Sequence, residues 1–245
     1  MLDRIVIVGA SSGIGAALAE ALAQPNRVLG LVARRADVLA AVAAVVEKRG
    51  GRAVVESCDA ADVSAAGPCF ARLSDRMGGI DTLVYCAGIM PPVGPDEFPA
   101  EQDRAVLATN LLGAVAWLDT AATAFLAQGH GTLCGIGSVA GDRGRRPGPA
   151  YGASKAGLHT FLESLRNRLT VRGIRVVTIK PGPVATPMTA GGPKQPFVIP
   201  ADQAAKRIVR ALERGEHTVY VPARWRLIMA VVRCIPSILF RRLQF

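Results

Sequence analysis

Short β-rich runs alternate with longer helix-compatible runs along almost the whole chain, and this alternation constrains the fold more than any other feature. Strand character falls at residues 5–8, 28–32, 53–56, 82–85, 132–136, 175–179 and 218–221. Helical spacing falls between them, at 14–23, 36–49, 63–77, 103–127, 151–171 and 202–214. Strands separated by helices of this length imply βαβ units and a parallel sheet. Right-handed crossovers then place helices on both faces of that sheet. The expected fold is α/β, a doubly wound parallel sheet of about seven strands in three α/β/α layers. A chain of 245 residues, 50% apolar and 20% charged, suits one such core. It is too apolar for a disordered protein. Five scattered cysteines, Cys58, Cys69, Cys86, Cys134 and Cys234, form no C-x-x-C pair. That favours a reduced, cytoplasmic setting over a disulfide scaffold, and no metal site is expected.

The first strand runs directly into Gly9-Ala10-Ser11-Ser12-Gly13-Ile14-Gly15 and then an alanine-rich helix. This leaves no room for a cleavable leader. Nor is a spanning helix expected, since no stretch of about 18 uncharged apolar residues occurs. Strand, glycine turn and helix start form a phosphate-binding arrangement. Glycines let the backbone approach a pyrophosphate, and the helix N-terminus offers N–H groups and a positive dipole end. Ser11, Ser12 and Ile14 belong to the same loop. The spacing G-x-x-x-G-x-G differs from G-x-G-x-x-G, so a plain βα turn is the alternative reading of the loop by itself.

The second strand ends Leu31-Val32-Ala33-Arg34-Arg35. An acid there would hold a ribose 2′-hydroxyl, whereas guanidinium groups grip a 2′-phosphate. Arg34 and Arg35 therefore predict NADP(H) over NAD(H); a solvated arginine pair at a helix start is the alternative.

Tyr151-Gly152-Ala153-Ser154-Lys155 opens a predicted helix, with the tyrosine and lysine on one face at i and i+4. A nearby ammonium lowers a phenol pKa, which makes Tyr151 a proton donor to a carbonyl. Ser138, at the end of the fifth strand, is placed to orient a substrate oxygen. Asn110 is a polar residue inside an apolar helical run, where it either caps backbone or serves a site.

Taken together, these residues resemble the short-chain dehydrogenase/reductase family over residues 4 to about 222. The likeness rests on Gly9, Gly13 and Gly15, on the ordered set Asn110, Ser138, Tyr151 and Lys155, and on Pro181, Gly182, Val184, Thr186 and Met188. It implies a Rossmann-type fold and hydride transfer between a nicotinamide and a carbonyl or alcohol. Tyr151 is then the acid or base, and Lys155 lowers its pKa and holds the nicotinamide ribose. Ser138 orients the carbonyl, and Asn110 supports a proton relay through water. Val184 and Thr186 orient the carboxamide. Asp59 contacts adenine, and Ala87 and Gly88 line the cofactor. Where the family has Asn-Asn-Ala-Gly, this chain has Tyr85-Cys86-Ala87-Gly88. Cys86 then reads as a small buried hydrophobe rather than a redox switch. Relatives form dimers or tetramers, which is the expectation here. An alcohol dehydrogenase working oxidatively, and a non-catalytic NADP-binding sensor, are the competing readings.

The net charge is +10, mostly arginine, with only five lysines. Aromatics are 5%, too few for a base-stacking platform, so nucleic acid is the least favoured partner. Arg143, Arg145 and Arg146 lie between Ser138 and Tyr151, where they face either an anionic substrate or solvent. The domain is taken as 1–222. Residues 223–245 form a basic extension with five arginines and no acid, and with Trp225, Phe240 and Phe245 as interface-prone aromatics. Such an amphipathic tail packs on its own domain or a partner subunit, or lies peripherally on an anionic membrane face. Tail and pre-tyrosine loop are locally similar to one branch of the family, the decaprenylphosphoryl-2-keto-erythro-pentose reductases. That similarity implies a lipid-linked or amphipathic ketone.

Overall fold

The computed structural model describes residues 2–192 and 195–243. The chain begins β1 (Arg4–Val8), α1 (Gly13–Leu22), β2 (Val28–Ala33), α2 (Ala36–Lys48), β3 (Arg52–Ser57), α3 (Ala66–Met77) and β4 (Thr82–Tyr85). Next come α4 (Ala100–Leu107), a π turn (Ala108–Leu112), α5 (Gly113–Gln128) and β5 (Gly131–Ile136). A 3₁₀ turn (Val139–Gly141) leads to α6 (Pro149–Leu169) and β6 (Ile174–Pro181). Two short strands, β7 (Val184–Ala185) and β8 (Ile199–Pro200), precede α7 (Ala201–Arg214) and β9 (Thr218–Val221). The tail forms α8 (Arg224–Cys234) and α9 (Ser237–Phe240); Phe245 lies outside the described residues.

The main sheet has seven parallel strands in the order β3-β2-β1-β4-β5-β6-β9. The order reverses between β1 and β4, and that switch point opens a crevice at the strand C-terminal ends. Alternation along β1 sends Ile5 and Ile7 to one face and Val6 and Val8 to the other. On the first face they meet Leu18 and Leu22 of α1, Leu39 of α2, and Ile208 and Leu212 of α7. On the second they meet Phe70 of α3, Trp117 and Phe125 of α5, and Leu158 and Leu162 of α6. Each fully buried side chain of this size contributes about 1.5–3 kcal/mol. The α4–α5 run, residues 100–128, passes the length and composition test for a membrane span. Its Trp117, Leu118, Ala121 and Phe125 are instead buried in this core.

Three boundaries differ from the sequence expectation. Helix α3 starts at Ala66 rather than residue 63, because the Asp62 carboxylate accepts from the Ser64 N–H at 3.0 Å and its hydroxyl at 2.6 Å. That local turn competes with helix. The long helix at 103–127 begins earlier, at Ala100, and is interrupted by the π turn around Asn110. The stretch 181–200, expected as pure loop, contains the parallel β7–β8 pair.

Candidate active site

The glycine loop folds over the end of β4. Gly9 has φ +92°, and a Cβ there would lie within 3 Å of the Cys86–Ala87 backbone. A Cβ at Gly15 would collide with the Gly9 carbonyl. The cradle is therefore backbone against backbone, as a pyrophosphate site requires. Ser12 is the N-cap of α1 and its side chain makes no capping bond, so first-turn N–H groups remain available to an anion. Ile14 packs on the first core face, and Thr186 sits over Gly13.

The rim of this cradle gathers the residues expected at the adenosine end. The Arg35 guanidinium donates to Ser11 Oγ at 3.4 Å, and Arg34 lies 3.9 Å from the Asp59 carboxylate. The arginine side is exposed. The residues present thus fit the adenosine end of a dinucleotide. Pro181 ends β6 beside Val221, and Val184 is buried in β7. Gly182 leaves room for the Trp225 ring of the tail, which a Cβ would strike.

Asn110, Ser138, Tyr151 and Lys155 converge near Gly88. A Cβ on Gly88 would lie 3.3 Å from Asn110 Oδ1 and 3.6 Å from Lys155 Nζ. Asn110 is wholly buried. Its Oδ1 accepts from the Ile89 N–H at 2.8 Å, and its Nδ2 donates to the Ile89 carbonyl at 3.0 Å and Ser154 Oγ at 3.2 Å. Both Nδ2 hydrogens are spent, and the side chain clamps β4's exit loop to α6. Ser154, which in turn donates to the Tyr151 carbonyl at 2.7 Å, completes the clamp and was not singled out from sequence.

Ser138 Oγ accepts from the Ala140 N–H at 3.1 Å, which leaves its own hydrogen to donate. Lys155 Nζ donates to the Ile136 carbonyl at 2.9 Å and lies 5.8 Å from the Tyr151 ring centre. Burial pushes the Tyr151 phenol above its ordinary value; hydrogen bonding by Ser138 and the charge of Arg145 pull it back only in part. The Lys155 ammonium is turned to Ile136, and burial pushes its pKa down to about 8. Cys86 also faces this region; burial pushes its thiol up to about 12, which fits an inert small side chain.

Two of the three loop arginines, Arg143 and Arg146, hold the tail. Arg143 donates to the carbonyls of Val232, Arg233 and Ile235 at 2.5–3.0 Å, capping the C-terminal end of α8, and stacks 4.1 Å over the Phe240 ring. Arg146 donates to the Arg241 carbonyl at 3.0 Å. Helix α8 itself buries Trp225 and Met229 against Val139, one residue beyond Ser138. The tail is thus bound to the loop joining Ser138 and Tyr151.

A Rossmann-type sheet with a glycine cradle at its switch point and a Ser-Tyr-Lys cluster beside it defines a nicotinamide-dependent oxidoreductase class. A family model described as short chain dehydrogenase matches residues 3–196, and the chain belongs to that family. An uncharacterised oxidoreductase of Mycobacterium tuberculosis is 35% identical over 245 residues, covering 98% of this chain and 96% of the relative. Carbonyl reductase family member 4 of Xenopus tropicalis is 33% identical over 191 residues, 78% of this chain and 79% of the relative. Among solved structures, a short-chain dehydrogenase from Sphingobium yanoikuyae in complex with NADPH superposes with a TM-score of 0.82. It is 27% identical and covers 96% of this chain and 97% of that one.

Proposed function

We propose that this protein is an NADPH-dependent carbonyl reductase. The observation that carries the reading is the meeting of Ser138, Tyr151 and Lys155 beside the glycine cradle, with Arg34 and Arg35 at its rim. The bound nicotinamide supplies the hydride; the chain supplies position and protons. Ser138 offers its hydroxyl hydrogen to the carbonyl oxygen and fixes its direction. Tyr151 gives its proton to the same oxygen as charge develops there. A phenol held above its ordinary pKa keeps its proton, which suits the acid role in reduction. Lys155, anchored on Ile136, holds the nicotinamide ribose. Arg34 and Arg35 take the 2′-phosphate. The NADPH bound by the Sphingobium relative and the name of the Xenopus relative support the same cofactor and substrate class.

The substrate we infer is an amphipathic or lipid-linked ketone met at an anionic surface on the cytoplasmic side of a membrane. Helix α8 exposes Leu227 (75%) and Val231 (66%) beside Arg224, Arg226 and Arg233, and α9 exposes Ile238 and Leu239. An apolar stripe flanked by cations suits a lipid interface. The test is NADPH consumption across acyl, steroid, quinone and sugar ketones, with and without detergent. Turnover with NADPH preferred over NADH supports the reading; no turnover with any carbonyl, or a preference for NADH, overturns it.

A further inference from the structure

Ser138 stands where the β5–β6 ladder stops. The last rung is the Gly137 N–H donating to the Ile179 carbonyl at 2.7 Å. The next N–H, that of Ser138, donates instead to His159 Nε2 at 3.4 Å. An imidazole nitrogen accepts only when it carries no proton, so the ring proton belongs on Nδ1. Nδ1 faces Asp142 Oδ1 at 3.6 Å. The Asp142 side chain, 2% exposed, is itself fixed by Lys180 Nζ on Oδ1 and the Tyr220 hydroxyl on Oδ2, both at 2.6 Å.

The fold makes room for this ring. A Cβ at Gly137 would collide with His159 Nε2, and one at Gly141 would lie 2.8 Å from Cε1. His159 is one turn beyond Lys155 on α6, and so shares the face that meets the Ser138 loop. The charges around it are Lys180 from β6, Asp142 from the loop, and Lys155 from α6. Burial, with Lys180 next and Lys155 least, pushes the His159 pKa down to about 3, against the pull of Asp142.

We propose that His159 is a positioning residue for Ser138: a neutral imidazole in the Nδ1–H tautomer, its Nδ1 edge turned toward the Asp142 carboxylate, that fixes the Ser138 backbone and so the aim of its hydroxyl. The consequence for turnover rests on the reductase reading; the tautomer does not. The buried carboxylate is shared by Lys180 of β6 and Tyr220 of β9, so three elements besides the catalytic helix hold the serine in place. His159 acts through the Ser138 backbone, which separates its role from those of Ser138, Tyr151 and Lys155.

The test uses the full chain and two readouts. Nitrogen-15 NMR of the His159 ring should show the neutral Nδ1–H form throughout pH 5.5–8; a titration near 6.5, or the Nε2–H form, overturns the proposal. In kinetics on the best carbonyl substrate, His159→Leu should lower kcat about tenfold or more while leaving the NADPH Kd within about twofold. His159→Gln, which restores an acceptor, should recover much of the loss. Unchanged kcat in His159→Leu, or an equal loss of NADPH affinity, overturns it. If the wild type reduces no carbonyl, the reductase reading falls while the NMR result still decides the tautomer. If the leucine variant does not fold, the wild-type NMR stands as the deciding measurement.

Discussion

The Tyr85 hydroxyl donates to the Thr109 carbonyl at 2.5 Å, and so ties the end of β4 to the π turn that carries Asn110. The π turn creates the need for this bond. In an α-helix the Gly113 N–H would serve Thr109, but here it reaches back to Ala108. The released carbonyl is half-buried and Tyr85 supplies its donor. Tyr85→Phe should therefore remove that bond and lower stability by about 1 kcal/mol. Urea denaturation checks this: the midpoint should fall with the slope unchanged. An unaltered midpoint would show that another group serves Thr109.

Arg34 and Arg35 set the second prediction. Replacing both by alanine should raise the KM for NADPH about tenfold or more and change that for NADH little, because only the former carries the 2′-phosphate. Steady-state kinetics with both cofactors decide it. A parallel rise for the two would place the arginines elsewhere in the mechanism.

Acid stability follows from His159. Its folded pKa, pushed down to about 3, lies below the unfolded value near 6.5. The folded state then binds fewer protons than the unfolded chain between these values, so stability rises with pH across that window. Above about pH 6.5 both states are neutral and the residue contributes no slope. His159→Gln should flatten the decline from pH 6.5 downward, as read by thermal unfolding over a pH series. An identical slope in the variant would show that His159 titrates normally in the fold.

The strand and helix order, the glycine loop and the set Ser138, Tyr151 and Lys155 were readable before the structure. Each rests on local signals: hydrophobic period, glycine spacing and the i, i+4 pair. What could not be read depends on contacts between distant elements. Asp142 meets Lys180 and Tyr220 across 38 and 78 residues of chain. Arg143 reaches carbonyls about 90 residues away. For that reason the sequence left the loop arginines between an anionic substrate and solvent, whereas Arg143 and Arg146 hold the tail. His159 left one trace in sequence, its i+4 spacing from Lys155. The π turn left none, since its cost is met by Tyr85 from another strand.

The tail supplies the fourth prediction. Leu227→Glu with Val231→Glu places acids on the exposed face of α8 without touching Trp225 or Met229. Wild-type protein should sediment with anionic liposomes and the double variant should not, while reduction of a water-soluble ketone stays the same in both. Equal sedimentation would remove the membrane from the account.

The most direct test of the central claim is the turnover of Tyr151→Phe. Phenylalanine keeps the ring and removes only the hydroxyl. With NADPH and the best ketone from the screen, kcat should fall about a hundredfold or more, in the range expected for loss of a general acid, with the NADPH Kd within about twofold of wild type. Wild-type turnover in this variant would contradict Tyr151 as the proton donor, and with it the reductase mechanism.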